Sequence, residues 1–250
     1  MRTPVIDVLA FDKELAAGLD RSGPGSAHVD CRAAVVEIGR GSWNSMAFES
    51  PDPGGYGLLM LFGSLVRRVG QGGRFGAELL GPGDLLRPWQ NVGAVASIPF
   101  EPAWTAITDT EVAVLGEDFA QRASPYPEVA TQLVGRALLR SRYLAINMAI
   151  VQQPRIETRL HMLFWHLADR WGRVRPGGVT FDMPLTHALL ADLVAARRPT
   201  VSSALAVLAR ENKVVRTPQG WRLSGDPPRE LAELSDAQHS DRLSQGREVD

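Results

Sequence analysis

Leu185-Thr-His-Ala-Leu-Leu-Ala-Asp-Leu-Val-Ala-Ala-Arg-Arg-Pro-Thr-Val-Ser-Ser-Ala-Leu-Ala-Val-Leu208 is the stretch that decides the fold of this 250-residue chain. Leu189, Leu190, Leu193 and Val194 form one apolar stripe at helical spacing, and Val201, Leu205 and Leu208 form a second. Between them Ala195-Ala-Arg197 is just long enough for a tight turn. Ala191 is small where two helices must cross closely, and Ala195 stands where such turns often carry glycine. The pattern predicts a helix-turn-helix. Its second helix would present Arg198, Thr200, Ser202 and Ser203 on an outer, N-terminal face, the face that enters the DNA major groove in this motif.

The residues that follow extend the motif. Lys213-Val-Val-Arg216 and Trp221-Arg-Leu223 are strand-like and flank the turn-rich Thr217-Pro-Gln-Gly220, which predicts a β-hairpin and hence a winged helix. Between Leu185 and Leu223 the basic residues Arg197, Arg198, Arg210, Lys213, Arg216 and Arg222 face only Asp192 and Glu211, whereas the whole chain carries a net charge of −1. A locally basic module on a near-neutral protein is the footprint expected of phosphate contact, and double-stranded DNA is the expected partner.

Composition excludes several alternatives. Cys31 is the single cysteine, so an intramolecular disulfide is impossible and a cysteine-held cluster within one chain is not expected. The five histidines form no close pair with metal-site spacing. His161 and His166 are expected to line a helix face, and neither a metal nor a catalytic constellation is expected. A cupin-like enzyme is the rival reading, but its metal would need clustered histidines and His28 is the only one in the β region. No apolar run approaches a membrane span, and Met1-Arg-Thr-Pro-Val-Ile-Asp7 has no basic-then-apolar leader pattern. A cytoplasmic, non-enzymatic protein without a membrane partner is therefore expected.

The chain divides into five stretches. Residues 1–27 form an N-terminal segment with an amphipathic candidate from Phe11 to Leu19 and a loop at Arg21–Ser26. Residues 28–120 have β character, with strands expected at Ala33–Ile38, Tyr56–Phe62, Ser64–Val69, Trp104–Ile107 and Glu111–Leu115, and a sharp reversal or bulge at Gly63. Many short strands with frequent turns imply a β-roll or barrel. Residues 121–153 hold a long helix, Tyr126 to about Gln153, with Val129, Leu133, Ala137, Leu144, Met148 and Val151 regularly placed and Val134, Leu138 and Ile146 off that stripe. Such a helix serves either as a dimer seam or as a cover for its own β domain. Residues 154–225 hold a second helix (Arg155 to Trp171), a short strand near Thr180–Met183 and the winged motif. Residues 226–250 are polar, aperiodic and expected to be mostly disordered.

This α+β order, with an N-terminal cupin-like and cyclic-nucleotide-binding-like β-roll, a long dimerisation helix and a C-terminal winged helix-turn-helix, resembles the cyclic-AMP receptor protein/FNR (CRP/FNR) family of bacterial transcription regulators. Arg159-Leu-His-Met-Leu-Phe-Trp-His-Leu-Ala168 is similar to a helix of that family, Thr186 to Arg210 to its helix-turn-helix signature, and Leu79-Leu-Gly-Pro-Gly-Asp-Leu-Leu86 to the turn before its phosphate-binding cassette. The resemblance implies a homodimeric, sequence-specific regulator. Its DNA contacts would come from Thr186, His187 and Arg197 on phosphate, from Arg198, Pro199, Thr200, Ser202 and Ser203 on the recognition helix, and from Arg216 and Gln219 in the wing. RNA polymerase is a further partner implied by the family.

The departures bear on the sensor. Arg87-Pro88 stands where the family's cyclic-nucleotide binders carry Gly-Glu, Phe100-Glu101-Pro102 where they carry Arg-(Ser/Thr)-Ala, and Leu144-Ala145 where they carry a polar pair. A carboxylate repels a phosphate diester and offers it no donor, so cyclic AMP bound in the family mode is not expected. The missing cysteines exclude the FNR-type oxygen sensor, and no haem ligand stands out. Arg87, Trp89, Phe100 and Glu101 are the candidate contacts for a different, unidentified small molecule, and no cofactor is expected. Phe62, Trp89, Phe100 and Trp104 supply aromatic surface for such a pocket or for the core; Trp221 is expected in the core. A ligand-free scaffold is the other reading of the roll.

Overall fold

A computed structural model describes residues 4–19, 24–44, 54–71, 74–88, 102–231 and 233, in two compact units, Met1–Tyr143 and Leu144–Asp250. The first unit is a roll of two antiparallel sheets. One has the order β1 (Val5–Asp7), β2 (Arg32–Ile38), β9 (Thr110–Leu115), β4 (Gly57–Phe62), β7 (Leu85–Leu86). The other has the order β3 (Gly41–Trp43), β8 (Ala103–Ala106), β5 (Leu65–Gln71), β6 (Arg74–Leu80). The chain switches sheet at each step from β2 to β3, β4 to β5, β6 to β7 and β8 to β9. Gly63 makes one of these corners at φ +83°, where an added Cβ would collide with the Asp109 carbonyl oxygen; no side chain fits the expected reversal.

The interior strand β4, Gly-Leu-Leu-Met-Leu-Phe, reads as an unbroken apolar run because both of its faces are covered over residues 57–61. Leu58 and Met60 join Ile38, Leu65, Leu80, Leu86, Trp104 and Val112 between the sheets. Leu59 and Leu61 face α1 (Val8–Phe11), α2 (Pro24–Asp30), α3 (Glu117–Ala123) and the start of α4 (Pro127–Val151), through Val8, Leu9, Cys31, Phe119, Tyr126, Val129 and Leu133. The segment before residue 28 thus shares the roll's sheet and core. Its helix is Val8–Phe11, capped by Asp7, rather than Phe11–Leu19, and Pro24–Asp30, read in part as loop, is helical. Burial raises the Cys31 thiol to about 11, with Asp30 and Asp7 adding to the effect, so it stays protonated.

Ion pairs fix the first half of α4 to the roll. Arg140 makes a two-pronged contact with Glu78 of β6 (2.6 and 2.8 Å), whose Oε2 also meets Arg67 at 2.9 Å, and Arg136 reaches Asp12 and Glu14. The long helix therefore covers its own β domain with one face, through Val129 and Leu133. Another line of positions (Thr131, Val134, Leu138, Ser141, Ala145, Met148) is exposed at alternating spacings of three and four residues. Val134, Leu138 and Met148 are 57, 66 and 68 % exposed.

The second unit holds α5 (Ile156–Trp171), β10 (Arg173–Arg175), β11 (Gly178–Phe181), α6 (His187–Leu193), α7 (Arg198–Arg210), β12 (Val214–Arg216) and β13 (Trp221–Leu223), with the strands in the antiparallel order β10-β11-β13-β12. Phe164 of α5 sits at its centre, 4.7 Å from the ring of Trp221 and 6.0 Å from that of Phe181, which places Trp221 in the core as expected. His161 and His166 are buried on α5. His161 accepts from the Trp165 indole at 3.0 Å, and burial, with Arg170 nearby, lowers His166 to about 4.

Candidate nucleic-acid interface

Thr186 starts the helix-turn-helix by accepting from the Leu189 amide at 3.1 Å, which satisfies one of the open N–H groups of the first turn of α6. The turn closes at Ala195, whose φ of +51° is the left-handed conformation expected where such turns favour glycine, and the Ala196 amide donates to the Ala191 carbonyl. Arg159 of α5 fastens this turn. Its guanidinium donates to the Val194 and Ala195 carbonyls (3.0 and 3.4 Å) and to the Gln153 carbonyl (2.6 Å). A cation on the last carbonyls of a helix also complements its dipole.

Pro199 lies in the first turn of α7, where a missing N–H costs nothing. Val201, Ala204, Leu205 and Leu208 are buried, while Arg197, Arg198, Pro199, Thr200 and Ser203 are exposed. Thr186, His187, Ala188, Arg198 and Arg216 line one open concavity of 450 Å³ at the start of α7. Four of the residues singled out from sequence, on three separate elements, are thereby brought together. In the wing the Thr217 and Gly220 backbones bond at 2.9 Å, Gly220 approaches the Phe181 carbonyl too closely for any Cβ, and Arg216 and Gln219 are exposed at the tip.

Other residues are arranged differently from the sequence reading. Ser202 is half-buried: its hydroxyl donates to the Arg198 carbonyl (3.1 Å) and therefore accepts from His187 Nδ1 (2.8 Å). It bridges α6 and α7, and in the neutral ring it leaves His187 Nε2 as an acceptor for an outside donor. Ser203 donates to the Pro199 carbonyl at 3.3 Å. Lys213 is paired with Glu211 at 2.8 Å, and Arg222 donates to Asn212 and Gly177. Sequence periodicity missed the bridging role of Ser202 and the turn-fastening role of Arg159; only the family-like signature flagged Arg159.

Of the candidate ligand contacts in the roll, Arg87 is half-buried beside β7, and Trp89, Phe100 and Glu101 lie outside the described residues, as does residue 234 onward of the C-terminal tail. Of the aromatic residues offered for a pocket or the core, one takes the core alternative and one does not. Trp104 is core, 5 % exposed and edge-on to Trp43, whereas Phe62 is 63 % exposed.

An antiparallel roll, a long helix and a winged helix-turn-helix with a basic concavity define the class of DNA-binding regulators. Residues 158–224 match the Crp-like helix-turn-helix domain. Solved structures share the fold over most of the chain. A cyclic nucleotide-binding domain containing protein from Listeria monocytogenes is 14 % identical, covers 85 % of this chain and 96 % of its own, and has a TM-score of 0.63. A CooA variant from Carboxydothermus hydrogenoformans is 15 % identical, covers 94 and 97 %, and scores 0.59. A CRP-family transcriptional regulator from Thermus thermophilus is 21 % identical, covers 80 and 95 %, and scores 0.52. Curated protein sequences give no match. The resemblance to CRP/FNR regulators holds in the C-terminal domain and in the fold. Among the described residues, no helix is long and apolar enough to cross a membrane.

Proposed function

We propose that the protein is a homodimeric, sequence-specific transcription regulator rather than an enzyme, acting in the cytoplasm. The observation that carries this reading is the convergence of Thr186, His187, Arg198 and Arg216 on one concavity at the exposed start of α7. Arg198 supplies the planar fork that pairs with guanine O6 and N7, and Thr186, Arg197, Arg216 and Gln219 supply phosphate contacts, with His187 held beside them by its bond to Ser202. The three–four spacing of exposed Val134, Leu138, Ser141, Ala145 and Met148 is that of a coiled-coil seam, with small residues at its middle. Pairing α4 with a second copy would present two recognition helices about 34 Å apart, one per half-site.

The roll acts as a scaffold that needs no cyclic nucleotide. Leu58, Met60, Leu65, Leu80 and Trp104 pack between its sheets, and the Arg140–Glu78 contact ties α4 to it. A different small molecule, contacting Arg87, is the second reading, favoured by the half-buried guanidinium beside β7. RNA polymerase is the partner through which such a regulator would act. Selection from a random duplex library by the full chain, with no small molecule added, tests the proposal. It predicts a two-fold symmetric motif; an asymmetric motif or none would contradict it.

A further inference from the structure

The outermost line of α7 is chemically unusual for a DNA-reading helix. At 100° per residue, the positions opposite the buried Val201, Ala204, Leu205 and Leu208 are Pro199, Ser203, Ala206 and Arg210, and all four are exposed. Pro199 has no N–H and a hydrocarbon side chain, and Ala206 offers one methyl group. Ser203, between them, has given its only proton to the Pro199 carbonyl. Arg210 lies about 16 Å along the helix from Pro199. From Pro199 to Ala206 this ridge therefore contains no group able to make the paired hydrogen bonds that identify guanine or adenine. Within the first turn of α7, Arg198, on the flank toward His187, has that capacity.

The base feature that an apolar ridge does match is the C5-methyl group of thymine, the only hydrocarbon in the major groove. We infer that the recognition helix reads thymine methyl groups through Pro199 and Ala206, beside a single guanine read by Arg198. This rests on the DNA-binding reading above and names the kind of half-site it implies. Pro199 to Ala206 covers about 10 Å of helix, the rise of about three base pairs. The half-site would then be a guanine followed or preceded by a short T·A-rich step.

Replacing thymine by uracil removes those methyl groups and leaves every hydrogen-bonding group in place. The full chain is titrated by fluorescence anisotropy against its selected duplex and against the same duplex with uracil at each half-site thymine in turn. Each contacted methyl should cost about fourfold in affinity, the worth of one buried CH₂ group. In Pro199→Ser and Ala206→Ser variants, one of these uracil effects each should disappear while the remaining one persists. Equal affinity for thymine and uracil duplexes, or a selected half-site without thymine near its guanine, would overturn the inference and leave sequence-specific DNA binding standing. Failure to bind any duplex would overturn both.

Discussion

Replacing Arg159 by alanine removes the cation that fastens the helix-turn-helix. In the native chain its guanidinium donates to the Gln153 carbonyl at 2.6 Å and to the Val194 carbonyl at 3.0 Å, with a longer third contact to Ala195. A hydrogen bond from a charged donor contributes about 1.5–3 kcal/mol. These carbonyls are only part-buried, and water can replace some of what is lost, so the lower end applies. Two such bonds give about 3 kcal/mol. That is a large share of the stability of an ordinary domain. Native-state hydrogen exchange by mass spectrometry reads the α5–α7 peptides apart from those of the roll, and their opening free energy should fall by about 3 kcal/mol in Arg159→Ala. Arg159→Lys should recover less than half, because one ammonium cannot span two carbonyls as the planar fork does. A change below about 0.5 kcal/mol in Arg159→Ala, the scatter of ordinary surface substitutions, would refute the assigned role.

Two further outcomes follow from the geometry. Leu138→Glu combined with Met148→Glu places like charges along the exposed line of α4, and sedimentation should show a dimer for the native chain and a monomer for the variant; a dimer for both would remove α4 from the interface. His166, held at about 4 against an ordinary value near 6.5, takes up its proton more readily in the unfolded chain. Stability should therefore be intact above about pH 6.5 and decline as pH falls toward 4, by up to about 3 kcal/mol for this group, with buried His161 shifting in the same direction. Urea unfolding between pH 7 and 4.5 should show a shallower decline in His166→Leu, and an identical slope would rule the residue out.

The winged motif was legible because its apolar residues repeat at helical spacing and its turn residues have strong local preferences. Leu189, Leu193, Val201, Leu205 and Leu208 fall in the core they predict, and Ala195 takes the left-handed turn. The strands of the roll were legible from short apolar runs bounded by glycine. What stayed hidden depended on partners distant in sequence. Ser202 and His187 lie 15 residues apart, and spacing along α7 alone could not show that the hydroxyl turns toward α6. Arg173–Arg175 became a strand because Gly177 and Gly178, with positive φ, fold it against Gly178–Phe181, where composition suggested only a helix stop. Trp104 and Phe62 look alike in sequence; one points between the sheets and the other away from them.

The most direct test of DNA reading by α7 compares Arg198→Ala with Arg216→Ala on the selected duplex and on single-base variants of it. Arg198→Ala should cost about 1–3 kcal/mol at the cognate site and erase the preference at one base pair per half-site. Arg216→Ala should weaken all sequences alike and reduce the salt dependence by about one unit of slope. An Arg198→Ala protein that keeps the full sequence preference would contradict the placement of α7 in the major groove.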